Sequence, residues 1–235
     1  LYESRKINLI AALRKDKQLG FETFGLGAVM FGGIGLQQTA LLYTNVANAA
    51  FLTALYVPLV PLIAAVFLRR HVPLNIWPAV LLSMAGSYLL SGNSSLDAQF
   101  GDLLIIGGAF FWAVHILLIQ HVLEKIAAPL QLSVYQSLVT ALLAGIVMVP
   151  LEAPHPVDFL PVLPQLAFAG LVAVGLGFPF QLVAQRSTTA ASAALILSLE
   201  SVFATFFGWW FPVSFSPLTL PSTPDVCVVS GAAAV

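Results

Sequence analysis

Charge is what this 235-residue chain has least of. Only 8% of its residues are Asp, Glu, Lys or Arg, against about a quarter in an ordinary soluble domain. Meanwhile 59% are hydrophobic and the mean hydropathy is +0.96. That balance excludes a water-soluble globular domain, so the chain reads as an integral membrane protein whose first partner is lipid. A net charge of −1 supplies no field to hold nucleic acid. The single cysteine, Cys227, excludes an intramolecular disulfide framework and any cysteine-based metal cluster. The sequence also lacks a His or Glu pair at metal spacing within a helix and a Gly-rich phosphate loop followed by Lys. It therefore argues for no metal, no cofactor and no enzyme. An intramembrane acyl or lipid transferase is the enzymatic alternative, but it needs a nucleophile-base pair that the sequence does not offer.

Basic residues are missing from particular places. None occurs from Tyr43 to Asn45, from Ser91 to Asp102, from Pro150 to Pro161, or after Phe211. All nine instead form four clusters: Arg5, Lys6, Arg14, Lys15 and Lys17; Arg69 and Arg70; Lys125; and Arg186. Apolar runs separate each cluster from the next basic-free loop. Basic loops stay cytoplasmic, so residues 1–20, 69–75, 121–131 and 185–188 are expected inside and the alternate loops outside. The opening also lacks a secretory signal, because Leu1 to Gly20 mixes its basic residues with Glu3 and Asp16. Single cysteines at Lys15 and Ser94, in a Cys227→Ser background, are expected to label from opposite sides of the membrane. Labelling of both by an impermeant maleimide outside intact cells would overturn this sidedness.

A spanning helix needs about 20 apolar residues to cross about 30 Å of hydrocarbon. Seven segments suit that length: Phe24 to Tyr43, Val46 to Leu68, Ile76 to Ser91, Leu103 to Val122, Leu132 to Val149, Leu163 to Ala184 and Thr189 to Phe211. The expected fold is an all-α, polytopic transmembrane helix bundle. Short loops make consecutive helices antiparallel neighbours. Gly25, Gly27, Gly32, Gly33 and Gly35 on the first run allow close backbone approach, which holds helices together in lipid.

The chain also contains an internal echo. Gly32, Gln38, Ala47, Ala50 and Leu52 recur at constant offset as Gly175, Gln181, Ala190, Ala193 and Leu195. Each set spans a helix, a tight turn and the next helix, and the two copies start on opposite sides. An inverted repeat of this kind sets a transport site near the membrane midplane.

Polar residues within the apolar runs supply the candidate site. Glu200 is the acidic residue in the middle of a spanning segment, where exposure to lipid costs about 2.5–3.5 kcal/mol, so it should face the bundle interior. There it can bind a substrate amine, couple a proton, or donate a hydrogen bond between helices. His115 follows Trp112 by three residues on one helix face, which offers an imidazole beside an aromatic wall or a packing histidine. Gln37, Gln38, Asn48, Tyr56 and Gln181 offer neutral hydrogen bonds to a zwitterionic metabolite or to neighbouring helices. Pro58 and Pro61 kink their helix or free carbonyls toward a cavity, and the kink is favoured. Asp97 and Asp102 suit the capping of the helix that follows them.

The run from Gln37-Gln38 through Asn48 and Tyr56 to Pro58 resembles the third-to-fourth helix junction of EamA-type transporters in the drug/metabolite transporter superfamily. Gly101-Asp102, followed by Trp112-Ala113, is similar to the opening of that family's sixth helix. Ala184-Gln185-Arg186, then Ala194 through Glu200 to Ala204 with Gly208-Trp209, resembles its eighth and ninth helices. The resemblance implies a ten-helix fold of two inverted five-helix halves. Residues 1–91 would hold part of the first repeat (helices three to five) and 101–211 helices six to nine of the second. It further implies alternating access without ATP, export of amino acids or other small metabolites, and a bacterial inner (plasma) membrane. Residues 212–235 depart from the pattern. Prolines at 212, 217, 221 and 224 oppose a helix there, and a single-base slip of reading frame would turn the family's continuation into Val213 to Leu218. With no initiator methionine and two helices fewer at the start, the chain reads as a fragment. A non-functional remnant is the alternative function.

Overall fold

In the computed structural model, residues 9–44, 46–90, 100–152, 160–200 and 202–203 are described. All their regular structure is helical. The expectations for Ser94, for Asp97, for the end of the seventh apolar run with Gly208-Trp209 (204–211), and for the tail 212–235 lie outside the described residues.

A short helix, α1 (Leu9–Lys15), is divided from α2 (Lys17–Ala40) by Asp16, whose extended backbone ends one helix and starts the next. Its carboxylate accepts from the backbone N–H groups of Gln18 at 2.9 Å and Leu19 at 3.1 Å, meeting two of the donors that a helix start leaves unpaired. This cap draws the helix start seven residues ahead of Phe24, through charged positions that the apolar pattern alone assigns to a loop.

The second apolar run forms two helices, α3 (Val46–Thr53) and α4 (Tyr56–Val66). Pro58 explains the break between them, since it has no N–H for the Ala54 carbonyl and its ring crowds that carbonyl. Val57 N–H donates to Ala54 O instead, at 3.0 Å. The freed carbonyl is thus satisfied by a tightened turn, as a kink requires. Helices α5 (Ile76–Leu90), α6 (Phe100–Lys125) and α7 (Pro129–Glu152) follow the apolar runs closely. The sixth run is α8 (Leu163–Phe168), a π-helical stretch over Ala169–Gly177, and α9 (Phe178–Gln185). The last described helix, α10 (Ala190–Leu197), is capped by Thr189, whose hydroxyl accepts from Ser192 N–H.

Among the described residues, five helical segments are long and apolar enough to cross a membrane: Lys17–Ala40, Asn48–Val66, Phe100–Lys125, Pro129–Leu151 and Leu163–Gln185. Ile76–Leu89 is a shorter apolar helix. The chain is an integral membrane protein built as a polytopic helix bundle.

The most extensive packing is between α2 and α6, and α2 also lies against α7. Glycine sets the second approach. A Cβ at Gly27 would stand 2.6 Å from Val139 Cβ and 2.9 Å from the Gln136 carbonyl oxygen. The Thr140 hydroxyl donates to Gly27 O at 3.0 Å across the same contact.

The ends of the bundle differ in chemistry, and the described basic residues gather at one of them. Lys125, closing α6, donates to both carboxylate oxygens of Glu22 at 2.6 Å. Arg70 donates to Glu124 through both guanidinium nitrogens, at 2.7 and 2.8 Å. This hydrogen-bonded carboxylate raises the Arg70 guanidinium above its usual range. Gln120 accepts from Ala190 N–H at 2.7 Å, which brings the start of α10 to the same end. Beneath these polar links lies an apolar cluster that includes Leu19, Leu26, Ile119, Val122 and Leu182. At the other end the Thr44 hydroxyl donates to Asp102 at 2.7 Å, and Tyr43 meets the Phe100 ring edge-on. Asp102 sits in the first turn of α6, so its carboxylate suits the positive end of that helix while also tying it to the α2–α3 turn.

Candidate functional site

A cavity of about 430 Å³ lies between the two chain segments that echo one another. Gln37 and Gln38 reach it from α2. Ala50, Thr53, Ala54 and Tyr56 line it on either side of the α3–α4 break. Trp112 and Ile116 come from α6, Ala173 from the π-helical stretch, and Phe178 and Gln181 from α9. Leu197, Ser198 and Glu200 complete it from α10 and the turn that follows. Three amides, one phenol, the Thr53 and Ser198 hydroxyls and one carboxylate therefore converge on a largely apolar wall. A pocket with few polar groups in an apolar setting is suited to a small molecule.

The echo is structural as well as sequential. Gln38 and Gln181 are separated by the repeat offset and face the same cavity. The break at Ala54–Leu55 corresponds, at that offset, to Leu197–Ser198, where the second hairpin's helix is also interrupted by a turn at Ser198. The two breaks have different causes. Pro58 makes the first. At the second, the Ser198 hydroxyl donates to Leu195 O at 2.7 Å, a local bond that competes with regular helix, and it accepts from the Ser83 hydroxyl at 2.9 Å. Helix α2 starts at the basic end of the bundle while α9 finishes there, so the two hairpins run in opposite senses.

Six of the eight sequence candidates meet in this lining: Gln37, Gln38, Tyr56, Trp112, Gln181 and Glu200. Trp112 is held there by its indole N–H, which donates to Gln37 Oε1 at 3.0 Å. Glu200 borders the cavity and is exposed. Asn48 and His115 are not in the lining among the described residues. Both are buried, Asn48 near the start of α3 and His115 within α6 against α7.

Sequence reasoning passed over Thr53, Ala54, Phe178, Leu197 and Ser198. A signal existed for the first two: Ala50, Thr53 and Ala54 are small residues three and four apart, which share a helix face and leave room beside it. Leu197 is the partner of Ala54 under the repeat offset. Phe178 follows the π-helical stretch, which no periodicity in the sequence announces. Among the described residues, no group of three or more His, Cys, Asp or Glu stands together in a way that could hold a metal ion.

Residues 99–220, slightly more than half of the chain, match the family model described as the EamA-like transporter family. An uncharacterized transporter of Archaeoglobus fulgidus is 33% identical over 189 residues, which cover 78% of this chain and 58% of that protein. The chain therefore spans little more than half the length of this relative. No solved structure matches the chain.

Proposed function

The chain belongs to the EamA-like transporter family, and from that membership we propose that it carries amino acids or other small metabolites out of the cell by alternating access. The observation that supports this most is the shared cavity. Two oppositely running hairpins, each with a helix break at the same repeat position, contribute Gln38 and Gln181 to one site between them. Irregular backbone at membrane depth is tolerated where it borders a cavity. Such breaks let one half of a transporter rock against the other about a fixed site. We read residues 1–91 and 101–211 as parts of the two inverted repeats, and the surrounding membrane as a bacterial plasma membrane.

Polar links tie the elements together at the basic end. Glu22–Lys125 joins α2 to α6, Arg70–Glu124 joins the segment after α4 to α6, and Gln120 holds the start of α10. Opening toward that side has to separate elements that these links hold together. The amides of Gln37, Gln38 and Gln181 donate and accept without imposing a charge, which suits a zwitterion. Glu200 supplies a carboxylate for a substrate amine or a transferred proton. The energy comes from the substrate gradient or a coupled proton.

Solute counterflow in proteoliposomes, with a panel of radiolabelled amino acids, tests this reading. Accumulation against a preloaded solute is expected. Ala54→Phe, which sets a ring into the cavity at the α3–α4 break, is expected to lower the rate about tenfold or more while the protein stays monodisperse. Counterflow by Ala54→Phe at the unaltered rate would separate the cavity from transport, and the absence of any solute movement would remove the transport function.

A further inference from the structure

Behind the aromatic side of the cavity lies a buried polar pair. His115 on α6 and Gln136 on α7 are both 0% exposed, and His115 Nε2 lies 3.2 Å from Gln136 Oε1. His115 Nδ1 and Gln136 Nε2 have no hydrogen-bond partner among the described residues. Reassigning the imidazole tautomer or turning the amide changes which atoms pair. It does not remove the deficit, because one contact between two bifunctional groups leaves a donor and an acceptor over. Buried polar groups are nearly always satisfied, so such a remainder calls for an explanation.

The surroundings of the pair supply one. The His115 ring meets Trp112 edge-on, with centroids 5.8 Å apart, and Phe178 edge-on at 6.5 Å. Trp112 and Phe178 both line the cavity, so two aromatic rings screen the pair from it. Trp112 is fastened by a hydrogen bond to Gln37, itself a cavity residue. A ligand that engages the Gln37 amide competes for that bond and frees the indole to turn.

Resting on the transport reading above, we infer that His115 and Gln136 form an inner polar subsite behind Trp112, which receives a neutral ligand group carrying an adjacent donor and acceptor, such as a primary carboxamide. A carboxamide presents one N–H donor and one C=O acceptor, the chemical complements of the acceptor and donor that the pair leaves over. An alkyl group of equal shape leaves both unpaired. A carboxylate brings a charge into a site whose immediate partners are neutral or aromatic. Loss of a matched polar group discriminates more strongly than a change in apolar volume.

Asparagine and leucine are the probes, because their side chains branch alike and differ in this chemistry, and aspartate adds the charged analogue. Binding is followed by Trp fluorescence and by counterflow in the reconstituted protein. The unaltered protein is expected to prefer asparagine over leucine and aspartate by about tenfold or more. His115→Phe keeps an aromatic ring and Gln136→Met keeps the volume, and each is expected to bring the asparagine-to-leucine ratio close to one. The double variant should cost little beyond either single change, since the two groups act as one site. Retained thermal stability with a collapsed ratio supports the subsite. Equal weakening of both ligands, an unchanged ratio, or no asparagine preference in the unaltered protein overturns it, and continued counterflow of leucine in that case leaves the transport reading standing.

Discussion

Glu200→Gln is expected to insert and fold normally and to lose most of its transport. The carboxylate borders the cavity on the segment that continues α10 beyond the turn at Ser198, opposite Gln37, Gln38 and Tyr56 on the other hairpin. Glutamine has nearly the same shape and can still donate and accept hydrogen bonds. What it removes is the charge that attracts an ammonium group and the ability to take up and release a proton. Hydrogen bonds to charged groups contribute about 1.5–3 kcal/mol, which corresponds to roughly 10- to 150-fold in rate or affinity. Counterflow checks this. The variant should be slow, whereas Glu200→Asp should retain part of the rate. Tyr56→Phe, which removes a neutral cavity hydroxyl, should have the smaller effect. An unaltered rate in the glutamine variant would make Glu200 a structural group and end its assignment to the transport step.

Much of the architecture could be read before any coordinate was known, because membrane spans are long and their chemistry is blunt. The first six apolar runs fall on α2 through α9, most with ends shifted by a few residues and α2 starting seven residues early, α10 opens the seventh, and the Pro58 position marks the α3–α4 break through its missing donor. What escaped was set by contacts between elements. The α2 start depends on Asp16 accepting two backbone N–H groups, which outweighs the polar character of residues 17–23. Lys125 and Arg70 were legible as markers of sidedness. Their carboxylate partners, Glu22 and Glu124, follow only from the side-by-side ends of α2, α4 and α6. The site divides along the same line. Glu200 and the three glutamines stand out because polar groups in lipid-spanning segments are costly. Thr53, Ala54 and Leu197 are ordinary on such helices and gain meaning from the empty space beside them. His115 was visible as a residue near Trp112. Its pairing with Gln136 required the packing of α6 and α7 onto α2.

Gly27→Val is expected to be the most damaging change to the fold, and its cause can be separated from the general effect of altering a helix glycine. The Cβ alone would meet Val139 Cβ at 2.6 Å and Cγ1 at 2.7 Å, against about 3.5–4.0 Å for comfortable carbon contact. Rotating Val139 moves its Cγ1 but neither its Cβ nor the Gln136 carbonyl oxygen, which would lie at 2.9 Å. Helices α2 and α7 must then move apart, straining the Thr140-to-Gly27 hydrogen bond and loosening the helix that carries Gln136. Overpacking of this kind costs about 1–3 kcal/mol or more, and in lipid the lost close packing has little hydrophobic compensation. Gly25 and Gly35 are the controls: on the same helix, an added Cβ at either meets nothing within 4 Å. Alanine there should be neutral or stabilising by up to about 1 kcal/mol, as helix propensity favours it. Thermal unfolding in detergent should therefore give a lower midpoint for Gly27→Ala, a still lower one for Gly27→Val, and no fall for Gly25→Ala or Gly35→Ala. Partial recovery in Gly27→Ala with Val139→Gly would trace the loss to the α2–α7 contact. Equal stability of the Gly27 and Gly25 variants would mean that these helices do not approach as closely as the glycine requires.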